Sequence, residues 1–585
     1  MARLYSNKQS FLGVLQIPIS ISVFLMLSLN CTHQQHPSSE LFLPNGFTAK
    51  VFVDSLVTGV RHLSVSDNGI VYAKLKRPSP QGSVVMLMDQ NKDGKADSIS
   101  MMGHHGEQQR GNYSTASHIY NGYLYFSSQL KVYRQKLDSV TQLPIGGIET
   151  VLIDDHPHRS HEHIAKPLAF DDSGNMYVPF GAPSNNCQSP KRTPLKSGED
   201  PCIELIDHGG IWKFDANQLN QKQESGQLFA SGLRSIVALD WNPENKKLYA
   251  VMHGRDDLKR LWPDRYSSWQ SALLPSEEFL EIQQGDHFGW PYCYYDQLIH
   301  KKVLAPEYGG DGEKVDRCSH YNNPIIGFPG HWAPNDLVFY NNHDFPSYYH
   351  GGAFVAFHGS TNRAPYSQSG YFVGFIPFEN GEPTEEYDLF ADGFAGVSPI
   401  VNASDALYRP MGIAFSNDGK MYIGDTNQGR IWQIEYTGNR HSYSPKDRKK
   451  MKDRFALAHI RTPDMNHDIL HEGLELAGKQ KFNLYCATCH QPNAQGDGNR
   501  FPTLVGTDWV TGDKKRLVKI ILQGMEGPIE VNGKTFNGIM PPNEFLSDQD
   551  VAEILTYLRT HFGNQASPIT SDEVYNIRHD LHSEL

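Results

Sequence analysis

From about residue 41 to 436 one pattern recurs along the chain: a polar turn containing Asn, Asp or Gly, then a short aromatic strand. Copies stand at Asp67-Asn68-Gly69-Ile70-Val71-Tyr72, Asn121-Gly122-Tyr123-Leu124-Tyr125 and Asp172-Ser173-Gly174-Asn175-Met176-Tyr177. Two more are Asn245-Lys246-Lys247-Leu248-Tyr249 and Asn417-Asp418-Gly419-Lys420-Met421-Tyr422, with a degenerate one at His350-Gly351-Gly352-Ala353-Phe354. Each copy predicts a tight hairpin turn feeding a half-buried strand. Six irregular copies, about fifty residues or more apart, predict an all-β six-bladed propeller, with seven blades as the alternative count. The strand Phe47–Phe52 would complete the last blade beside Arg430–Ile434 and close the ring.

Beyond residue 436 the period changes. Residues 437–463 read as a polar, basic linker, and three helical stretches follow in a small all-α domain at 464–565. They run from Asp468 to Leu484, from about Lys514 to Gln523, and from Ser547-Asp548 to His561, with Ser547 as N-cap. Residues 566–585 are left as a C-terminal tail.

Inside the helical domain, Cys486-Ala487-Thr488-Cys489-His490 is the c-type haem attachment signature. Cys486 and Cys489 would form thioethers to the porphyrin, and His490 would ligate the iron. Met540, in Ile539-Met540-Pro541-Pro542, can supply the opposite ligand, and His/Met ligation raises the reduction potential as an electron carrier requires. Helix, haem motif, Met segment and closing helix make a cytochrome c arrangement.

The N-terminus changes where this chemistry is expected to happen. Arg3 and Lys8 precede an apolar run from Phe11 to Leu29 that ends at Cys31, the layout of a signal peptide over residues 1–31. The polar tether 32–40 suggests a bacterial lipoprotein acylated at Cys31, although Asn30 departs from the usual lipobox; an uncleaved helix anchor is the alternative. Either way the expectation is an exported protein, periplasmic or at the cell surface, anchored to a membrane. Of seven cysteines, this leaves Cys187, Cys202, Cys293 and Cys318, for which proximity favours Cys187–Cys202 and Cys293–Cys318 among three pairings. A net charge of −12, with one basic run at Lys446–Arg454, argues against nucleic acid as a partner.

Several segments of the propeller carry a family likeness. They include Arg61-His62-Leu63, Ala165-Lys166-Pro167-Leu168, Gly181-Ala182-Pro183-Ser184 and Ser231-Gly232-Leu233-Arg234. The others are His253-Gly254-Arg255-Asp256, Asp286-His287-Phe288-Gly289-Trp290, Phe357-His358-Gly359-Ser360-Thr361-Asn362-Arg363 and Tyr408-Arg409-Pro410. In this order they resemble the soluble quinoprotein sugar dehydrogenases, six-bladed propellers that use pyrroloquinoline quinone (PQQ) and calcium.

The resemblance implies a histidine general base at His163, with His161 as substitute, and an arginine that polarises the quinone and the developing alkoxide at Arg234. It implies cofactor contacts from Asn362, Arg363 and Arg409, and weaker ones from Lys166 and Arg61. Leu407 stands where the family pairs a second arginine with Arg409, and Ala182 where some members place an aspartate beside the base. Calcium is implied at the Gly254-Arg255 loop through main-chain carbonyls. A second calcium candidate, Asp89, Asn91, Asp93 and Asp97, has Gly94 at the sixth position but Ser100 at the twelfth, so a solvated hairpin turn is the equal alternative.

The expectation is thus a quinohaemoprotein that oxidises a sugar or related alcohol by hydride transfer to PQQ. Haem c then passes electrons singly to an external acceptor such as another cytochrome, and the cytochrome docks on the loop face of the propeller. A calcium-dependent lactonase-type hydrolase and a non-catalytic carbohydrate-binding propeller are the alternatives. A lactonase requires carboxylates converging on the channel; a quinoprotein requires cations.

Overall fold

The computed structural model describes residues 41–583 except 55, 57, 105–114, 158–160 and 466–470. The expected export segment and tether lie outside the described residues. Six four-stranded antiparallel sheets form the propeller. Their inner strands are Val60–Val65, Ser117–Tyr120, Ala169–Phe170, Ile236–Asn242, Pro334–Phe339 and Pro410–Phe415. Each of the six recurrent turns joins an inner strand to the second strand of its blade, which is why the turn repeat counted the blades.

Phe47–Val53 pairs with Ile431–Tyr436 in the register Phe47↔Tyr436, Ala49↔Ile434, so the chain's start closes its own ring. That closure is fixed by packing as well as by backbone pairing. The Phe47 ring lies 4.8 Å from Phe345 and 5.0 Å from Phe390, both edge-on, joining the last blade to the fifth. Burying one such ring stabilises by about 2 kcal/mol.

The segment 437–463 is not the loose linker its composition suggests. Met451 and Ile460 are buried in the core shared by the fourth and fifth blades. Arg454 and His459 both pair with the buried Asp392, at 2.6 and 3.0 Å. The basic residues that make the segment look like a tether are partly the ones that fasten it.

In the helical domain, His471–Tyr485 crosses Asp548–Thr560 at Gly478, where a Cβ would lie 1.9 Å from the Glu553 carbonyl. Only glycine permits that approach. Ser547 caps the second of these helices, accepting from the Asp550 amide. Met540 ends a hairpin, Met525–Val531 with Lys534–Met540, rather than sitting in a loop. The expected C-terminal tail also needs correction. Ser571–Ser583 is a helix, and Val574, Ile577 and Leu581, at spacings of three and four, bury one face in the domain core.

Candidate functional site

The propeller's topology gathers the chemistry at one end of the channel. Residues just before or at the start of an inner strand, and residues just after the second strand, meet at the same end because the strands are antiparallel. Arg61, His163, Arg234, His331 and Arg409 belong to the first group. Ala182, Gly254, Asp256 and His358 belong to the second, and Lys76 stands within the second strand Val71–Ser79, one residue past Leu75, which pairs with Val60.

The loops there are braced. Disulfides Cys187–Cys202 and Cys293–Cys318 close two of them, the pairing that proximity favoured. The buried Glu307 carboxylate accepts from Arg255 at 2.5 Å, Asn186 at 2.5 Å and the Trp262 indole at 2.8 Å.

One wall of the site is an imidazole beside a guanidinium. His163 Nδ1 lies 2.8 Å from the Ala182 carbonyl, which fixes the tautomer with Nδ1–H donating and leaves Nε2 as an acceptor. Burial and the Arg234 charge push His163 well below the ordinary histidine value, against the opposing pull of the Ala182 hydrogen bond and Asp256. Arg234 donates to the Gly254 carbonyl at 2.7 Å, to Asn185 at 2.8 Å and to Asp256 at 2.9 Å, while its buried Nε has no partner. Asp256 also accepts from Asn362 at 3.1 Å and Arg192 at 3.3 Å. Burial works to raise the Asp256 carboxyl, but Arg234, His331 and Arg192 hold it well below its usual range.

The facing wall is cationic. Lys76 is lowered by burial and then by Arg61, Arg409 and Arg77, so these cations crowd one another. Buried His358 is lowered well below its ordinary value by burial and then by Arg409, Arg61 and Lys76. Arg363 is 1 % exposed, its Nε and Nη1 have no partner, and burial lowers it to about 10. The unpartnered buried nitrogens of Arg363 and the crowding of Lys76, Arg61 and Arg409 fit a polyanionic planar ligand, which guanidinium groups bind bidentately.

Other expected residues are placed elsewhere. Lys166 pairs with buried Asp154 at 2.5 Å and lies over the Phe180 ring, so its charge is spent there. Arg255 is committed to Glu307, which makes it a brace. The Gly254 carbonyl, an expected calcium ligand, is taken by Arg234, so this loop as folded does not fit a cation.

The Asp89 loop behaves as a turn. Asp89 accepts from the Asp93 and Gly94 amides, and Asp97 from those of Gln90 and Asn91. Among the described residues no three His, Cys, Asp or Glu side chains are grouped to hold a metal ion. His161 lies against the His208 ring at 5.0 Å.

Sequence reading missed Lys76, Asp256, His331 and His358 as site residues. Asp256 and His358 stand within the quoted family segments. Lys76 stands on an ordinary strand with no spacing signal of its own, yet it supplies a cation beside Arg409 that Leu407 cannot.

A cavity of about 200 Å³ is lined by five of the inner strands and by Leu168, just before the sixth. It holds Asp240, which burial raises to about 7, and Asp336, which burial raises well above the ordinary carboxyl value. Each carboxyl accepts two backbone amides: Trp241 and Phe339 for Asp240, Leu337 and Ile413 for Asp336.

In the helical domain Cys486, Cys489, His490 and Met540 line one apolar cavity with Leu504, Leu517, Ile520 and Ile521, an arrangement that fits haem c. His490 Nδ1 lies 3.0 Å from the Pro502 carbonyl, which orients the ring and leaves Nε2 for iron.

The two domains meet at the loop face. Ser268 donates to Asp572 at 2.6 Å, and the Trp269 indole donates to the carbonyl of Pro463, at the end of the connecting segment, at 2.8 Å. The segment after Met540 runs from the haem cavity, lined by Pro541 and Asn543, to this junction, lined by Leu546 and Ser547.

Residues 41–437 match the TrAA12-like family model and residues 476–562 the cytochrome c model. Cytochrome c-552 of Thermus thermophilus is 34% identical over 117 residues, 18% of this chain and 79% of that protein. An uncharacterised protein of Borreliella burgdorferi is 25% identical over 219 residues, 37% of this chain; the match spans about half (51%) of that relative's length. The PQQ domain of pyranose dehydrogenase from Coprinopsis cinerea superposes with a TM-score of 0.53 at 16% identity, covering 68% of this chain and 98% of that one.

Proposed function

Since the chain belongs to the TrAA12-like family through residues 41–437 and carries a cytochrome c domain behind it, we propose that it is a quinohaemoprotein dehydrogenase that oxidises a sugar or a related alcohol. The observation that carries this reading is the buried pair His163 and Arg234 facing a wall of cations. PQQ, when bound, would supply the acceptor for a hydride and haem c a one-electron relay. Arg61, Lys76, Arg363 and Arg409 would hold its carboxylates.

His163 Nε2 takes the proton of the substrate hydroxyl as the carbon gives up hydride. An imidazole kept neutral by burial is ready for that transfer at neutral pH. Arg234, held by Asn185 and Asp256, faces the oxygen on which negative charge develops. Such fixed charge stabilises an alkoxide without reorganisation. The cytochrome domain, seated on the same face, takes electrons one at a time for an external acceptor such as another cytochrome, its haem held by Cys486, Cys489, His490 and Met540. Export and lipid anchoring through Cys31 belong to the same proposal. No step is assigned to calcium.

Carboxylates do enter the channel at Asp240 and Asp336, but both are raised and bonded to backbone amides, which favours the quinoprotein over a lactonase. The test is turnover of aldoses with a soluble one-electron dye in the PQQ-loaded chain. Turnover lost in His163→Ala with PQQ binding retained supports the assignment; turnover unchanged in that variant overturns it.

A further inference from the structure

A chamber of about 400 Å³, within the size range of small-molecule sites, lies between the domains. The propeller contributes Asp257, Arg260, Ser268 and Asn362; the cytochrome contributes the start of helix Asp548–Thr560 and the helix Ser571–Ser583. Neither His163 nor Arg234 lines it. It adjoins them through Asn362, whose amide holds Asp256, and through Asp257, next in the chain. Resting on the dehydrogenase reading, we propose that this chamber binds the second ring of a disaccharide or longer oligosaccharide whose reducing end reacts at His163.

The walls have the chemistry for this. Asp257 accepts from Arg192 and from Arg260, each at 2.6 Å, and Asp548 from Arg578 at 2.6 Å. Fixed carboxylate–guanidinium pairs present acceptors and donors side by side, as vicinal hydroxyls require. Tyr575 on the cytochrome lines the chamber, and its buried hydroxyl has no partner. A buried hydroxyl without a partner costs free energy that a ligand hydroxyl recovers. Its ring offers an apolar face to a sugar. A monosaccharide held at His163 would leave all of these groups unused. The cytochrome thereby becomes part of the substrate site.

Glucose, cellobiose, maltose and lactose are compared as substrates of the PQQ-loaded full chain, and their binding to the quinone-free chain is measured by titration calorimetry. Tyr575→Phe removes the hydroxyl, and Gln549→Trp fills the chamber from a position away from the haem ligands. The expected result is a preference of tenfold or more in kcat/KM for at least one disaccharide over glucose. In Gln549→Trp that preference falls at least tenfold, with glucose turnover and the haem α-band unchanged. In Tyr575→Phe, disaccharide binding weakens severalfold.

Equal use of glucose and disaccharides, or a preference untouched by both variants, overturns the chamber assignment while leaving the dehydrogenase reading in place. No oxidation of any sugar overturns that underlying reading, and the chamber assignment with it.

Discussion

His163 Nδ1 lies 2.8 Å from the carbonyl oxygen of Ala182, so a backbone group does the orienting that an aspartate at position 182 would do. The departure from the family pattern removes a side chain but keeps the tautomer. His163→Ala is expected to lower kcat by about 10²–10⁴-fold, the range for loss of a general base. PQQ affinity, followed by absorbance titration, should be retained. Steady-state kinetics check the first outcome and the titration the second.

The same geometry sets a pH dependence. His163 is depressed below the ordinary value of 6.5 by burial and by Arg234, so the neutral base is lost only as pH falls through that lower value. The acidic limb of kcat/KM should therefore lie below pH 6.5, with a plateau above it. A limb at or above 6.5 would mean that His163 is more solvated or differently paired.

Arg363 is expected to trade stability for function. A buried guanidinium with two unpartnered nitrogens destabilises the quinone-free chain, and a carboxylate ligand would relieve it. Arg363→Met should raise Tm in the absence of quinone by a few degrees and weaken PQQ binding at least tenfold. Scanning calorimetry and equilibrium binding read the two effects. A lower Tm with unchanged affinity would show that the arginine is structural.

Asp392 fastens the connection between the domains. Burial raises its carboxyl, yet His459 and Arg454 bring it below the ordinary 3.8, so its stabilising contribution is complete above about pH 4 and fades as pH falls further. Asp392→Ala should cost about 3–5 kcal/mol by leaving buried cations uncompensated. Limited proteolysis should then cut within 437–463 faster than it does in the unsubstituted chain.

Met540 lines the same cavity as His490 and would supply a second ligand to the haem iron. Replacing it with alanine should lower the haem midpoint potential, because a thioether ligand raises it. Thioether attachment through Cys486 and Cys489 should persist, as a denaturing gel stained for haem would show.

What sequence could and could not show follows from the kind of signal each feature leaves. The six polar turns are local, and each proved to be the first hairpin of a blade, so the propeller was legible. Cys486-Ala487-Thr488-Cys489-His490 is local too. The cation wall was legible only in part. Arg409 and Arg363 sit in recognisable segments, whereas Lys76 reaches Arg409 through ring closure, which brings residues some three hundred positions apart together.

Lys166 looked available because its partner Asp154 stands twelve positions earlier, outside the segments that carry the family likeness. The helix Ser571–Ser583 was legible in Val574, Ile577 and Leu581, but its charged neighbours disguised it as a tail. The fastening of 437–463 could not be read, since His459 and Arg454 find Asp392 only after the fifth blade has formed.

The most direct measurement is haem reduction at the α-band in the purified full chain loaded with PQQ, as sugars are added one at a time. The account predicts sugar-dependent reduction that requires the quinone and vanishes in His163→Ala. Absence of reduction with every sugar, together with no measurable PQQ binding, would contradict it and leave a haem protein carrying a propeller of another kind.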